Sequence, residues 1–462
     1  MSEPANYSTI ERAQVQKFAA ELAGQRILSD HPDYETVRQI NTWNPTTSKC
    51  PAMFARCANV EDVRRSIGFA RENDLVLAVR SGGGSVLGQS ICEGGIVIDL
   101  SPMKEVVINQ NRSTVRVGGG LLTQELVAAV SPHGLAPVLG ICPAVGVAGL
   151  TLGGGLGWLS GKYGAACDNL LSAEIITADG RILTASAEEN LDLFWGISGG
   201  GGNFGIATAL EFRLHPVGEV LAGTIKYAFS DARSVLRFYR DFMGIAPDEI
   251  WALAYAPGVG DPSVGFTVCY VGDRRRGEEV IRPLRAFGRP LSDSVQPRPY
   301  RDTVTMPLLE FAPQSFRAPK NCYLQRLSDE VIDLIIDHAA AAPSSRSVVG
   351  LDHYMHGAVC HVASHASAFE LRETGGVHVW IESDWNSPEE AEESAAWATH
   401  LWDALQPYSG GRIYANYLSV EDEGSVRAAY GSNFSRLVTL KNKYDSSNFF
   451  SLNANIKPTS QL

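Results

Sequence analysis

The chain has 462 residues, more than one compact core holds, so the sequence predicts two or more domains. With 45% hydrophobic residues, each domain has ample apolar surface to bury. The 39 basic and 51 acidic residues leave a net charge of −12, which argues against nucleic acid or an anionic membrane as an electrostatic partner.

Cysteine usage and the N-terminal sequence favour a reducing compartment. The eight cysteines fall at irregular spacings without a C-x-x-C pair. The opening MSEPANYSTIERAQVQKF has no basic segment followed by an apolar core, so we expect no secretory signal. We therefore expect a cytoplasmic protein.

The N-terminal half alternates helical patterns with short strands. Apolar spacing predicts helices over residues 9–23 and 60–73, the second capped by Asn59. Short apolar runs and turn residues predict the remaining elements, which are strands at 75–79, 95–100 and 114–120, a hairpin at 173–185 and a strand at 206–214.

A glycine-rich turn, Arg80-Ser81-Gly82-Gly83-Gly84-Ser85, follows the first of these strands. Its consecutive backbone N–H groups are suited to surround an anion, with Arg80 and Ser85 beside them. The alternative is a plain tight turn, although three consecutive glycines exceed what such a turn needs.

Residues 126–161 contain no Asp, Glu, Lys or Arg. Their glycines and prolines exclude a membrane span, which needs about 20 mostly apolar residues with internal backbone hydrogen bonds. The glycines from Gly146 to Gly157 predict backbone that bends tightly and lets a flat, bulky ligand approach closely. Cys142 lies at the entrance to this glycine-rich part.

A literal G-x-G-x-x-G occurs at Gly200, Gly202 and Gly205. The dinucleotide-binding fingerprint requires a helix after it, whereas the following IATALEFRL alternates like a strand. A Rossmann domain is therefore disfavoured. The glycine-rich turns instead predict several loops that converge on one extended ligand.

From residue 218 to 410 the glycine clusters disappear. Alternating segments such as AGTIKYAF and VHVWIES predict strands, and 389–405 has the spacing of an amphipathic helix, so we expect an antiparallel α+β domain. We predict a solvated turn for the basic cluster Arg274–Arg276. The tail is predicted to form a strand at 412–418 and a helix at 424–443.

The run LDHYMHGAVCHVASH contains four histidines. The spacings of His353, His356, His361 and His365 fit no zinc signature well, so we expect no metal there. We interpret the run as a strand whose histidines contact substrate or serve structural roles.

Four motifs follow one another along the chain: RSGGGSVLGQS, GICPAVGVAGLTLGGGLGWLSGKYGAACDNL, LFWGISGGGGNFGIATALEFRLHPV, and YANYLS with KYDSSNFFSLNANIKP. Together they resemble the berberine bridge enzyme-like flavoprotein oxidases of the vanillyl-alcohol oxidase and p-cresol methylhydroxylase (PCMH) superfamily. The resemblance covers nearly the whole chain and is weakest across 218–410. It implies an α+β fold with a two-subdomain, PCMH-type FAD-binding domain at 1–217, an antiparallel-sheet substrate domain at 218–411, and a C-terminal segment at 412–462 that completes the FAD domain.

The resemblance also implies that the glycine-rich loops bind FAD. The turn at 80–85 would hold the pyrophosphate, the segment around Cys142 would line the isoalloxazine, and the tail would hydrogen-bond around the flavin. Gly205 and Ile206 would lie near the adenosine end. The implied cofactor-binding residues are Arg80, Ser81, Gly82, Gly83, Gly84, Ser85, Gln89, Ser90, Cys142, Val145, Gly146, Gly149, Gly153, Gly154, Gly205, Ile206, Asn453 and Asn455.

The sequence departs from the family pattern at one attachment point. Many members attach FAD twice, through a histidine to the 8α-methyl group and through a cysteine to C6. Here Gly84 occupies the histidine position, while Cys142 stands in the matching C-P-x-V-G setting. We therefore expect a single thioether bond from Cys142, with non-covalent FAD beside a free thiol as the alternative.

Three tyrosines match positions at the family's substrate face. Tyr414 and Tyr417 match a pair that some bacterial members use there, and Tyr163 matches another lining tyrosine. Residues three apart on a strand face opposite sides, so only one of the pair would reach substrate directly. We favour Tyr417 as the catalytic base and Tyr414 as its support, and core packing is the alternative.

The implied function is an FAD-linked oxidase. It would transfer a hydride from a small alcohol, a lactol or sugar, or an amine C–H to flavin N5, with O2 as the acceptor and hydrogen peroxide as the product. Val145 matches a position where a small apolar side chain leaves oxygen a route, with simple packing as the alternative. A dehydrogenase with another acceptor and a flavin-bearing cyclase or isomerase without net redox turnover stay open.

Overall fold

The computed structural model describes residues 12–39, 49–258, 263–306, 316–385, 387–418 and 422–461. Within these ranges the chain forms three main β-sheets, a pair of two-residue strands, and helices that cover the sheets. The helices are Arg12–Glu21, Tyr34–Arg38, Val60–Glu72, Thr123–Val130, Val147–Leu152, Ser160–Tyr163, Leu191–Ile197, Ala232–Met243, Arg274–Ala286, Asp329–Ala340, Ala358–His361, Ala391–Ser409, Glu423–Tyr430 and Phe434–Tyr444. None of these described helices is long and apolar enough to cross a bilayer.

The first sheet has four short strands, in the order Gln25–Leu28, Met53–Arg56, Ile96–Asp99 and Leu77–Arg80. The last three run parallel, and their apolar side chains are buried as expected for parallel strands. The helix Val60–Glu72 connects two of them and is capped as predicted, because Asn59 Oδ1 accepts from the Asp62 N–H at 2.9 Å. Parallel strands end at one edge, so the glycine turn after Arg80 leaves the sheet there.

The second sheet is antiparallel and contains the predicted hairpin. Its order is Val106–Asn109, Thr114–Gly118, Ile206–Arg213, Leu170–Ile176 and Ile182–Ser186. The hairpin turns at Gly180, which has a φ of +81°. The G-x-G-x-x-G sequence leads directly into a strand rather than a helix, as its alternation predicts.

The largest sheet is antiparallel. Its order is Ser292–Asp293, Glu219–Ala228, Ser263–Tyr270, Ile250–Pro257, Val348–Tyr354, Val377–Trp385 and Phe316–Leu324, with Gln296–Pro299 also paired to Glu219–Ala228. Helices pack on one face and bury its apolar side chains, among them Ala232–Met243, Asp329–Ala340 and Ala391–Ser409.

The opposite face of this sheet carries polar side chains, and we call it the inner face. Along Val377–Trp385 successive side chains alternate, so Val379 and Ile381 pack in the helix-covered core whereas His378 and Trp380 face the other way. The inner face is directed toward the glycine-rich loops, and it forms one wall of the candidate site.

The tail does not form the predicted strand at 412–418. Ala415–Tyr417 is a single 3₁₀ turn instead. Asn416 holds it, because its Nδ2 donates to the Leu150 carbonyl at 2.9 Å and to the Tyr414 hydroxyl at 3.0 Å. Short polar side chains such as that of asparagine hydrogen-bond to nearby groups and so compete with the pairing of strands. For this reason the alternation of apolar residues predicted a strand that does not form.

The predicted helix at 424–443 is two helices, Glu423–Tyr430 and Phe434–Tyr444. They are separated at Gly431, which has a φ of +45°. A Cβ on Gly431 would lie 1.7 Å from Glu370 Oε2, so this break lets the main chain pass close to that carboxylate.

Two predictions in the substrate half were wrong. Arg274–Arg276 is not a turn but the start of the helix Arg274–Ala286, where Asp273 accepts from the Arg276 N–H at 2.9 Å. The sequence interpretation overlooked this N-cap. The histidine-rich run is a strand only as far as Tyr354, and Ala358–His361 is helical.

Candidate active site

A cavity of about 630 Å³ lies between the glycine-rich loops and the inner face of the large sheet. Its volume falls within the range of about 300–1,000 Å³ that small-molecule sites occupy. Most of the residues singled out from the sequence line it. They are Ser81, Gly82, Gly83, Gly84, Ser85, Gln89, Ser90, Cys142, Val145, Gly146, Gly149, Gly153, Gly205, Ile206, Tyr414, Tyr417 and Asn453.

Glycine brings two loops of the cavity wall together. A Cβ on Gly82 would lie 2.3 Å from the Gly146 backbone N, so neither loop has room for a side chain at the contact. By contrast, a Cβ on Gly149 or Gly202 would meet no described atom within 4 Å. Gly82 therefore serves loop packing, whereas Gly149 and Gly202 leave bare backbone facing open space.

Arg80 does not line the cavity, which corrects its predicted role in holding a pyrophosphate. Its guanidinium donates to Asp99, which is fully buried, and to the Val37 carbonyl at 2.6 Å. It also lies 5.1 Å from the ring centroid of Phe54. A buried carboxylate needs a cation, so Arg80 neutralises Asp99 at the sheet edge while the backbone after it forms the cavity wall.

The Cys142 thiol lies in the cavity wall near Val145. Burial raises its pKa, and hydrogen bonds from the backbone N–H groups of Ala144 and Val145 act in the opposite direction. Burial has the larger effect, so the described environment favours the thiol over the thiolate, the nucleophilic form of cysteine, and the two N–H groups only reduce this effect.

Some buried polar atoms of the cavity lining lack a hydrogen-bond partner among the described residues. Ser90 Oγ and Asn453 Oδ1 are buried and have no hydrogen-bond partner among the described residues, and both residues line the cavity. Buried polar atoms without partners are rare in folded proteins. Together with the bare glycine backbone, they fit an extended polar ligand such as FAD.

The C-terminal tail is attached to this wall by specific hydrogen bonds. Gln89 Nε2 donates to the Asn453 carbonyl at 2.8 Å. The buried Lys441 ammonium donates to the carbonyls of Asn203 and Phe450, both at 3.0 Å, and to Asp445 at 2.7 Å. The tail, the loop at 201–203 and the turn at 81–90 are therefore tied to one another around the cavity.

Tyr414 and Tyr417 both line the cavity, contrary to the strand-based prediction that they face opposite sides. They are joined by a 3₁₀ turn, in which residues three apart lie on the same side. Their ring centroids are 5.0 Å apart at 86°. The Tyr414 hydroxyl accepts from the Gly155 N–H at 2.9 Å and from Asn416, so this tyrosine is anchored to the glycine loop.

Tyr417 has a different environment. Its ring stacks on His378 with 4.4 Å between centroids, and His378 Nδ1 lies 3.6 Å from Asp352 Oδ2. The pKa of Tyr417 is well above its usual value because of burial, with further increases from Asp352, Tyr414 and Cys142. In the described environment the phenol is therefore protonated at neutral pH.

Besides Arg80, three predicted site residues lie outside the cavity lining. Tyr163 stacks on His215 with 3.8 Å between centroids. Gly154, with a φ of +119°, packs against Phe369, because a Cβ there would lie 2.5 Å from the Phe369 ring. Asn455 does not reach the lining, although its Oδ1 is buried without a partner among the described residues.

Several lining residues on the inner face were missed by sequence reasoning, among them Asn321, Asp352, Trp380 and Tyr255. Strand alternation could have placed Trp380 and Asn321, because they form a cross-strand pair. Asp352 lies inside the histidine-rich run, where the histidines drew attention away from it.

The histidines of that run have other positions. His356 is buried and pairs with the carbonyls of Ile250 at 2.8 Å and Tyr354 at 3.0 Å, which is a structural role. His361 Nδ1 lies 3.9 Å from Asp248. His356, His361 and His365 do not line the cavity, and the His353 side chain lies outside the described residues. Within the described ranges, no group of three potential metal-ligating side chains occurs.

Comparisons with known proteins agree with this site. A family model described as an FAD binding domain matches residues 51–186, and one described as berberine and berberine like matches residues 413–457. The chain is 31% identical to (R)-6-hydroxynicotine oxidase of Paenarthrobacter nicotinovorans over 465 residues, covering 95% of this chain and 97% of that protein.

Two further proteins extend the comparison. An uncharacterized FAD-linked oxidoreductase of Bacillus subtilis is 29% identical, over 95% of this chain and 97% of that protein. The crystal structure of 6-hydroxy-D-nicotine oxidase from Arthrobacter nicotinovorans has a TM-score of 0.87 and 29% identity, over 95% of this chain and 98% of that one. The chain therefore belongs to the berberine bridge enzyme-like FAD-linked oxidases and is an FAD-dependent oxidoreductase.

Proposed function

We propose that this protein couples oxidation of a small alcohol, a lactol or sugar, or an amine C–H to reduction of O2, with FAD attached only through Cys142. The observation that carries the proposal is that one cavity is lined by Cys142, Tyr417, Ser90 and Asn453. Ser90 Oγ and Asn453 Oδ1 are buried there without a hydrogen-bond partner among the described residues. The name of the 31% identical relative, (R)-6-hydroxynicotine oxidase, supports an amine C–H among the substrate classes.

The residues of the first half and of the tail hold the cofactor in this proposal. Bound FAD would supply the hydride acceptor, N5, and a route for the two electrons to O2, which with the proton lost by the substrate would give hydrogen peroxide. Backbone N–H groups of the turn at 82–85, with Gln89 and Ser90, serve the diphosphate. Asn453 would hydrogen-bond to the flavin from the tail, whereas Asn455 lies outside the cavity lining.

Tyr417 is the proposed base, and Tyr414 positions it. An alcohol must lose its O–H proton as the hydride leaves, and the phenolate form of Tyr417 in the cavity wall is the proposed acceptor. The hydroxyl of Tyr414 already accepts two hydrogen bonds, so its remaining capacity is to donate. Tyr163, which stacks on His215, plays no part in this proposal.

The attachment through Cys142 is tested by denaturing the purified holoenzyme with acid and measuring flavin in the pellet. We expect the wild type and Cys50→Ala, which removes an exposed thiol, to retain yellow, fluorescent protein, and Cys142→Ala to release all flavin. Complete release from the wild type would refute the bond and leave non-covalent FAD.

Oxidase activity is tested by reducing the holoenzyme with dithionite under nitrogen and then mixing it with air-saturated buffer. Rapid return of the oxidised flavin spectrum with stoichiometric peroxide is expected. Val145→Ile should slow this step at least tenfold, because the added methylene narrows the route along the wall. Slow reoxidation of the wild type would indicate the dehydrogenase, and product formation without peroxide would indicate the cyclase or isomerase.

A further inference from the structure

We propose that the inner face of the large sheet carries a binding site for a protonated amine on an apolar, aromatic substrate, with Asp352 as its counter-ion. The site, which we call the amine subsite, consists of Asp352, Trp380, Tyr255 and Asn321. The inference rests on the proposed function, because it names the substrate class of that same cavity.

The charge of the cavity lining favours a cationic ligand. Among the described residues that line the cavity, Asp352 is the one with a charged side chain, and the remaining lining residues are apolar, aromatic or neutral polar. Its side chain is 22% exposed, toward the cavity. A single carboxylate between walls of low polarity attracts cations into the space.

Loss of water from Asp352 on substrate binding also favours a cationic ligand. A substrate that fills the cavity expels water from Asp352, and an uncompensated buried carboxylate is costly. His378 Nδ1, 3.6 Å away, is the described group that competes as its partner, and it compensates the charge only when protonated. An ammonium group on the substrate supplies the positive charge directly, with charge-assisted hydrogen bonds to the carboxylate.

The walls fit the same substrate. Trp380 and Tyr255 line the cavity beside Asp352, and they come from neighbouring positions of the sheet because Gly350 pairs with both. The faces of Trp and Tyr rings attract an ammonium group within about 6 Å. A Cβ on Gly350 would lie 3.3 Å from both Asp352 Oδ1 and Trp380 Cε3, so the missing side chain lets the carboxylate and the indole lie close together over this strand.

Asn321 adds one hydrogen-bonding position. It lies opposite Trp380 in the strand register, lines the cavity and is 6% exposed. Neither its Oδ1 nor its Nδ2 has a partner among the described residues. A buried carboxamide in this state is suited to hydrogen-bond with a polar group of the ligand.

The small number of polar groups on the inner face favours an amine over a sugar as the substrate. A sugar presents a hydroxyl on nearly every carbon, and each one left unpaired on burial costs about 1–3 kcal/mol. On the inner face only Asn321 and Asp352 supply such partners among the described lining residues, apart from tyrosine and threonine hydroxyls. An apolar body with one cationic nitrogen and one further polar group matches this lining better.

The test uses the holoenzyme and two probes of matched shape, N-methylbenzylamine, which is cationic at neutral pH, and benzyl methyl ether, which is neutral. Binding is measured anaerobically by calorimetry and by perturbation of the flavin spectrum. We expect the amine to bind at least tenfold more tightly than the ether, Asp352→Asn to abolish that preference, and Asp352→Glu to restore part of it. Asp403→Asn, at an exposed helix position, should leave the preference unchanged.

Equal binding of the two probes, failure of the amine to bind, or an unchanged preference in Asp352→Asn would each overturn the amine subsite. These outcomes are separate from the proposed function, because flavin retention and reoxidation by air are measured without either probe. A holoenzyme that retains flavin and produces peroxide but does not prefer the amine refutes the subsite alone.

Discussion

Tyr414 and Tyr417 show how two identical residues three positions apart acquire different roles. The Tyr414 hydroxyl accepts from the Gly155 N–H and from Asn416, so it holds the glycine loop against the tail. Tyr417 instead stacks on His378, lines the cavity, and has a pKa that burial raises most and that Asp352 and Cys142 raise further. The first residue is therefore structural in its contacts and the second is the candidate for proton transfer.

Removing the Tyr414 hydroxyl should destabilise the fold. Tyr414→Phe leaves the buried Gly155 N–H without its acceptor, so we expect the free energy of unfolding to fall by about 1–3 kcal/mol. Urea denaturation of matched holoenzymes measures this. Tyr408→Phe removes a hydroxyl that pairs with the exposed Glu330 carboxylate while leaving the partly buried ring in place, so it is the control and should change stability little. Equal stability of Tyr414→Phe and wild type would contradict the anchoring role.

Tyr417 predicts a specific pH dependence. Its pKa is raised above the ordinary value of about 10, so the proton stays on the phenol at neutral pH and the phenolate fraction grows about tenfold per pH unit. The limiting rate of flavin reduction by an alcohol substrate should therefore rise from about pH 6 to pH 9. Stopped-flow measurements on Tyr417→Phe should give a rate roughly 10²–10⁴ lower and without this slope. The same slope in the variant would assign the proton transfer to another group.

At the scale of elements, the helix Phe434–Tyr444 places a buried cation beneath the returning tail. Lys441 is fully buried, and its ammonium donates to the carbonyls of Asn203 and Phe450 and to the Asp445 carboxylate. Asp445 also accepts from the N–H groups of Phe449 and Phe450. This cluster, rather than strand pairing, fixes the tail residues 450–454 that line the cavity.

Lys441→Met should therefore cost both stability and cofactor affinity. It leaves the Asp445 carboxylate buried without its cation, for which we expect a loss of about 3–5 kcal/mol in the free energy of unfolding. Lys443→Met on the same helix removes an exposed pair with Asp192 and should cost less than about 1 kcal/mol. Urea denaturation and the amount of flavin retained distinguish the two variants, and equal effects of the two substitutions would contradict the role of the Lys441–Asp445 pair in holding the tail.

At the scale of the whole molecule, one cavity is bounded by the turn at 81–90, the segment at 140–156, the inner face of the large sheet and the tail. Because these segments are distant in sequence, a ligand that contacts all of them stabilises their joint arrangement. Ligand that binds only the folded state adds about 2.7 kcal/mol at a hundredfold excess over its Kd.

The melting temperature of Cys142→Ala, freed of flavin, should accordingly rise with added FAD, and riboflavin should have a smaller effect because it lacks the diphosphate and adenosine. Differential scanning calorimetry over a range of concentrations measures both. A melting temperature that does not respond to FAD would contradict the assignment of the cavity to this cofactor.

Local sequence determined much of the first half and of the cofactor wall. Apolar runs and glycine positions depend on short-range conformational limits, so the helix with its Asn59 cap, the hairpin at Gly180 and the glycine turns could be predicted without tertiary contacts. The lining role of Cys142 followed from its position in a recognisable motif.

Only the tertiary structure decided where long-range partners lie. Arg80 faces Asp99 rather than the cavity, and Tyr163 stacks on His215, because each partner is supplied by a segment that no local pattern relates to it. The 3₁₀ turn at Tyr417 depends on Asn416 reaching Leu150 across 266 positions of sequence. Asp352 becomes a feature of the site only when antiparallel pairing brings its strand beside Trp380, since burial and proximity are properties of the assembled sheet.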